Sequence, residues 1–191
     1  MLKFRVFCDV DDVIADFTGW WLKKANHATG KDFTIVNPEE YWVEKKYGLT
    51  AKEEDLVWRH VDESRSFDIE PLPGAIYFAQ ELLKLDIELF FLTSPMLTNK
   101  TWFEDRVMWF ETYVGGGTSR KLVFSKRKDI VSGDIIIDDK QEHVTSFLEA
   151  NPTATGFLMI RDKIVKTEGV EFEEILELVK QLKKTKRTRK D

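Results

Sequence analysis

What this chain is short of narrows its chemistry first. It has a single cysteine, Cys8, so no disulfide can form within it, which fits a reducing compartment. Cys8 lies in an apolar run and reads as a small core residue. The three histidines, His27, His60 and His143, fall at no metal-ligand spacing and read as incidental. No apolar run approaches the roughly 18 residues of a membrane span. The opening "MLKFRVFCDVDD" meets acids too soon for a signal peptide, so a cytoplasmic protein with no membrane partner is expected. Surplus positive charge is absent too: acids outnumber Lys and Arg by 34 to 29, and a net charge of -5 argues against general affinity for nucleic acid. The exception is the end, "KKTKRTRKD", with six Lys or Arg in nine residues, expected to be a frayed, solvated tail. Gly115 to Gly117 does not join a strand to a following helix, so it reads as a helix stop and not as a phosphate-cradling turn.

What is present fits a globular domain, with 42% hydrophobic and 33% charged residues in a chain of 191. Apolar runs bounded by acids or turn residues recur at Phe4 to Cys8, Ile87 to Leu92, Leu122 to Phe124, Ile135 to Ile137 and Gly156 to Ile160. Helical periodicity marks Ala75 to Leu85, Thr98 to Tyr113, His143 to Ala150 and Phe172 to Leu182. Strands alternating with helices predict a mostly parallel sheet covered on both faces. Residues 17–71 are too many for a simple crossover. They carry helical periodicity with no convincing strand and read as a helical lobe inserted after the first strand. The expected organisation is a core of residues 1–16 and 72–182, the insertion at 17–71 and a basic tail at 183–191.

In an open parallel sheet, ligands bind beyond the carboxyl ends of the strands. After the first strand come Asp9, Asp11 and Asp12; after the second, Thr93 and Ser94; after the third, Ser125, Lys126 and Lys128; after the fourth, Asp138 and Asp139. Five aspartates converging at one edge stay ionised only around a cation. Oxygen ligands without His or Cys point to a hard ion, Mg2+ first. Hydroxyls and a lysine beside it suit a phosphate. An ionised Asp can attack phosphorus without a base, and a second carboxylic acid can supply the leaving oxygen with a proton.

"DVDDV" (Asp9 to Val13), "LTS" (Leu92 to Ser94), Lys128 and "IDD" (Ile137 to Asp139) resemble, in order and spacing, the four motifs of the haloacid dehalogenase (HAD) superfamily of phosphotransfer enzymes. "DVIADF", "YWVEKKYG", "FDIEPLPGA", "LTSP" and "KDIVSGDIIIDD" further resemble the 5'(3')-deoxyribonucleotidases, over residues 4 to about 140. The resemblance implies an α/β, HAD-like (Rossmann-like) parallel sheet with helices on both faces and a small inserted helical cap. It implies an Mg2+-dependent phosphatase that hydrolyses deoxynucleoside 5'(3')-monophosphates through an aspartyl-phosphate. Asp9 would be the nucleophile, and Asp11 the acid for the leaving oxygen and later the base for water. Asp9, the backbone carbonyl of Asp11 and Asp139 would hold the metal, with Asp138 in close support. Thr93, Ser94 and Lys128 would hold the phosphoryl oxygens, with Arg106 and Lys126 at basic positions near the phosphate. Phe17, Tyr41 and Trp42 would line the nucleoside pocket, and the cap would exclude water. The partner implied is a small nucleotide, with a homodimer left open.

Two features depart from the family pattern. Asp12 stands where glycine is common, which at a positive φ is among the less costly replacements. "WRHVDESRSF", Trp58 to Phe67, lacks the aromatic-rich run of the mammalian relatives. Two other readings remain: a HAD phosphatase acting on another small phosphomonoester or a nucleic-acid 3'-phosphate, and a phospho-aspartate signalling module. Against the second, the Asp pair precedes the insertion instead of lying mid-chain.

Overall fold

A computed structural model describes residues 3–37, 40–159 and 172–188. Five parallel strands, β1 (Arg5–Cys8), β2 (Glu88–Thr93), β3 (Leu122–Phe124), β4 (Ile135–Asp138) and β5 (Thr155–Leu158), form one sheet in the order β3-β2-β1-β4-β5. All its pairings are parallel. Side chains alternate across the strands. Val6, Cys8, Ile135 and Ile137 pack on one face, and Phe7, Leu92 and Ile136 on the other. Each face is covered, as continuous apolar runs require. Helices α1 (Phe17–Thr29), α4 (Ala75–Lys84), α5 (Trp102–Trp109) and α7 (Phe172–Thr188) belong to the larger core, with Trp21, Phe78, Trp102 and Trp109 fully or almost fully buried. Helix α6 (Gln141–Ala150) covers the other face through Val144 and Phe147.

Between β1 and α4 the chain forms α1, then α2 (Val43–Lys46), α3 (Ala51–Glu63) and a 3-10 turn at Ser66–Asp68; among the described residues this stretch has no strand. Asp16 starts α1 by accepting from Gly19 N at 2.6 Å, and Gly30 ends it at φ 67, a left-handed conformation that suits glycine. A reciprocal capping box of Thr50 and Glu53 starts α3. The stretch leaves and re-enters the core at adjacent points: Asp16 N donates to Glu70 O and Leu72 N to Ile14 O, at 2.8 and 2.9 Å.

Two segments differ from expectation. The helix expected from Thr98 begins only at Trp102, and a single π-helical turn follows it at Phe110–Val114. Residues 98–101 instead bind the end of α3. Thr98 Oγ1 donates to Asp62 at 2.6 Å, and Asn99 Nδ2 to Val61 O and Ser64 O at 3.0 and 2.8 Å. At the other end, α7 continues as helix to Thr188, into the segment expected to fray. Its apolar stripe of Ile175, Leu176 and Val179 is buried against the core. The last expected strand covers Thr155–Leu158, and its expected end, Ile160, lies outside the described residues.

Candidate active site

The sheet order sets β1 between β2 and β4, so their carboxyl ends deliver residues from distant parts of the chain to one edge. Asp9 N donates to Ile137 O at 2.8 Å, extending the β1–β4 ladder by one residue into the site. Asp9, Asp138 and Asp139 each offer an oxygen within 4.8 Å of the others. Lys128, almost fully buried in a 3-10 turn after β3, donates to Asp9 Oδ1 at 2.7 Å and to Leu92 O. Its Nζ is also 3.7 Å from Asp138 Oδ2.

One lysine does not balance these carboxylates. Burial pushes the Asp9 carboxyl up from the ordinary 3.8 to about 8; Lys128 opposes the rise, and Asp138 and Asp11 add to it. Burial and the charges of Asp9 and Asp138 likewise hold Asp139 well above the carboxylate range. Burial disfavours the Lys128 ammonium, but Asp9 and Asp138 outweigh it and its pKa stays above the ordinary value. Asp138 Oδ2 is buried without a hydrogen-bond partner. Two buried carboxylates and a half-buried one, surplus negative charge and an orphaned oxygen fit a hard divalent cation.

Asp11 lies beside the cluster and is engaged elsewhere. Its Oδ2 accepts from Thr93 Oγ1 at 3.1 Å and its Oδ1 from Arg106. Arg106 is fully buried, with its guanidinium carbon 4.4 Å from the Trp102 ring centroid. The resemblance puts Arg106 at a basic position near the phosphate, and its side chain holds Asp11. Asp12 has φ 57, the one positive value outside glycine among the described residues. Its carboxylate accepts from Thr18 N at 2.9 Å and Thr18 Oγ1 at 2.5 Å, tying the turn after β1 to α1.

The other expected residues are spread around this centre. Thr93 closes β2 fully buried, and Ser94 follows it half-buried. Lys126 is exposed, and among the described residues no hydrogen bond or ion pair ties it to the acids. Phe17 is half-buried against Trp20 and Trp102. Tyr41 and Trp42 are exposed, and both rings hold Lys140, whose Nζ is 4.6 and 4.4 Å from their centroids. Burial of the Tyr41 hydroxyl, with Asp139 and Asp9 close by, raises its pKa above the usual tyrosine value.

Three contributions were not apparent from spacing. Lys140 joins the aromatic pair to the segment after β4. His143 is not incidental, since its Nδ1 is 3.1 Å from Asp138 Oδ1. Nor are His27 and His60 isolated, because their rings lie 5.2 Å apart between α1 and α3. Only His143 carried a readable sign, its place in the first turn of the helix that follows "IDD".

The strand order and the acids at the sheet edge define an α/β protein of the HAD type. Solved structures agree. A haloacid dehalogenase-like family hydrolase from Xanthomonas campestris superposes with a TM-score of 0.55 at 10% identity, over 96% of this chain and 97% of that one. The HAD-type protein YfnB of Bacillus subtilis, solved bound to magnesium, gives 0.55 at 14% identity, over 94% and 99%. Such identities establish the fold alone. The family described as "5' nucleotidase, deoxy (Pyrimidine), cytosolic type C protein" matches residues 3–167, and the chain belongs to that family. It is 31% identical over 147 residues to the mitochondrial 5'(3')-deoxyribonucleotidase of Homo sapiens, covering 72% of this chain and 63% of that protein. It is 32% identical over 149 residues to the cytosolic-type human enzyme, covering 71% and 70%. The matches therefore span 63% and 65% of the length of the human and mouse mitochondrial relatives.

Proposed function

We propose that this chain is an Mg2+-dependent phosphatase that releases phosphate from deoxynucleoside 5'- and 3'-monophosphates. One observation carries the reading: Asp9, Asp138 and Asp139 share an edge within 4.8 Å, with the buried Lys128 ammonium on Asp9. Family membership and the names of its relatives support the nucleotide as substrate.

In this reading Asp9, the Asp11 carbonyl, Asp138 and Asp139 hold the cation. When bound, Mg2+ screens the anionic phosphate from the anionic nucleophile and withdraws charge from the phosphoryl oxygens. An Asp9 oxygen attacks phosphorus as the ester P–O bond breaks, and the departing nucleoside oxygen takes the Asp11 proton. Water then attacks the aspartyl-phosphate, giving its proton to Asp11, and inorganic phosphate leaves with Asp9 restored. Thr93, Ser94 and Lys128 hold the phosphoryl oxygens, and Lys128 offsets charge in the transition state. Arg106 acts through Asp11, which it orients. Phe17, Tyr41 and Trp42 border the nucleoside, and residues 17–71 close over it. A cytoplasmic location belongs to the same proposal. Among the described residues no helix is long and apolar enough to cross a membrane.

Phosphate release from a panel of nucleoside monophosphates, sugar phosphates and a 3'-phosphorylated oligonucleotide tests it. The expected result is release from deoxynucleotides with Mg2+ and none with chelator. Preference for a sugar phosphate or the oligonucleotide overturns the substrate assignment.

A further inference from the structure

Asp138 is held from one side only. Its Oδ1 accepts from Lys140 N at 2.9 Å and lies 3.1 Å from His143 Nδ1. A carboxylate can only accept, so Nδ1 carries the proton of that bond. Both donors come from the start of α6, Lys140 at its N-cap and His143 in its first turn. Oδ2 is buried with no hydrogen-bond partner and lies 3.7 Å from Lys128 Nζ. The two donors on Oδ1 fix the rotation of the carboxylate and leave Oδ2 for the acid cluster. A backbone N–H alone fixes one point; the imidazole supplies the second. Its ring is 21% exposed, and leucine keeps an apolar side chain of similar size in that place.

We propose that His143 is a positioning residue for the cation site, setting Asp138 Oδ2 for Mg2+ by holding Oδ1. The inference rests on reading the acid cluster as an Mg2+ site. Groups that hydrogen-bond to metal ligands reduce the cost of ordering those ligands, and their loss weakens binding by roughly tenfold or more. What Oδ1 needs at that point is an N–H donor, which an amide also supplies. The Nδ2 of asparagine stands close to where the imidazole Nδ1 stands.

Calorimetric titration of MgCl2, at one pH, into wild type, His143→Leu, His143→Asn and Asp139→Asn decides it, together with the melting temperature of each without metal. The expected result is Mg2+ affinity weakened roughly tenfold in His143→Leu, restored close to wild type in His143→Asn and lost in Asp139→Asn. Both His143 variants should melt near wild type when metal-free. If wild type binds Mg2+ and His143→Leu binds it equally well, the positioning role falls while the metal site stands. The role falls too if both His143 variants weaken alike, because the hydrogen bond is then not the cause. If wild type binds no Mg2+, the metal site and this inference fall together.

Discussion

Arg106, fully buried on α5, donates to the Oδ1 of Asp11, whose other oxygen accepts from Thr93. The proposed acid is thereby fixed by one charged and one neutral donor, and neither oxygen rotates freely. Arg106→Met leaves Asp11, only 21% exposed, without its cation. The expected cost is about 3 kcal/mol in urea unfolding, with phosphate release falling in parallel. Arg106→Lys recovers only part, because a point charge lacks the planar fork. In the double variant Arg106→Met/Asp11→Asn, stability recovers while activity does not. Equal stability of wild type and Arg106→Met contradicts this.

Asp9 links pH to stability in the metal-free protein. Its carboxyl rises from 3.8 to about 8 in the fold, so between those values the folded chain binds more protons than the unfolded chain. Stability therefore falls as pH rises through that window, by up to about 1.4 kcal/mol per unit for one such group. Chelator-treated wild type should melt lower with each step between about pH 5 and pH 8. Asp9→Asn, which has no such carboxyl, should show a flatter profile. A parallel decline in both proteins would remove Asp9 as the cause.

Much of this architecture was legible in the sequence, because a buried parallel strand must be apolar and then stop. "VFC", "LFFL" and "III" did both, and the acids, Thr93 and Lys128 after them arrived at one edge. The left-handed turn at Asp12 was signalled only by the glycine common at that place in the family the motifs resemble. The remainder depended on pairings between distant residues that no local pattern encodes. Asn99 turns away from α5 because it bonds the end of α3. Arg106 turns to Asp11, and His143 to Asp138. A histidine spacing rule looks for metal contacts and passes over one that bonds a carboxylate.

Asp105 joins the returning end of the 17–71 stretch to α5. Fully buried, it accepts from Arg65 Nε at 2.7 Å, Ser66 N at 2.8 Å and Thr101 Oγ1 at 2.8 Å. Arg65 and Ser66 fall in the stretch where the resemblance led aromatics to be expected, and they form a polar clasp there. Asp105→Ala should cost about 3 kcal/mol, since it strands a buried backbone N–H and removes a charge partner. Hydrogen exchange should accelerate at residues 64–69 before it does in the sheet. Uniform acceleration across the protein would mean that no local clasp exists.

Lys140 between Tyr41 and Trp42 fixes the aromatic pair beside the acid edge. Each such contact on an exposed ring is worth about 0.5–1 kcal/mol. Lys140→Ala should therefore raise KM for a deoxynucleotide by roughly fivefold. It should change kcat far less, because both rings are assigned to the nucleoside and not to the phosphate. A fall in kcat at constant KM would place Lys140 in the chemistry and not at the pocket's border.

The central claim is that carboxylates from β1 and β4 hold a divalent ion that lets Asp9 take up phosphate. Phosphate release from a deoxynucleoside monophosphate by wild type and by a folded Asp9→Asn variant, each with Mg2+ and with chelator, tests it most directly. Release should occur in one of the four mixtures, wild type with Mg2+. Equal release by Asp9→Asn, or by wild type in chelator, would contradict it.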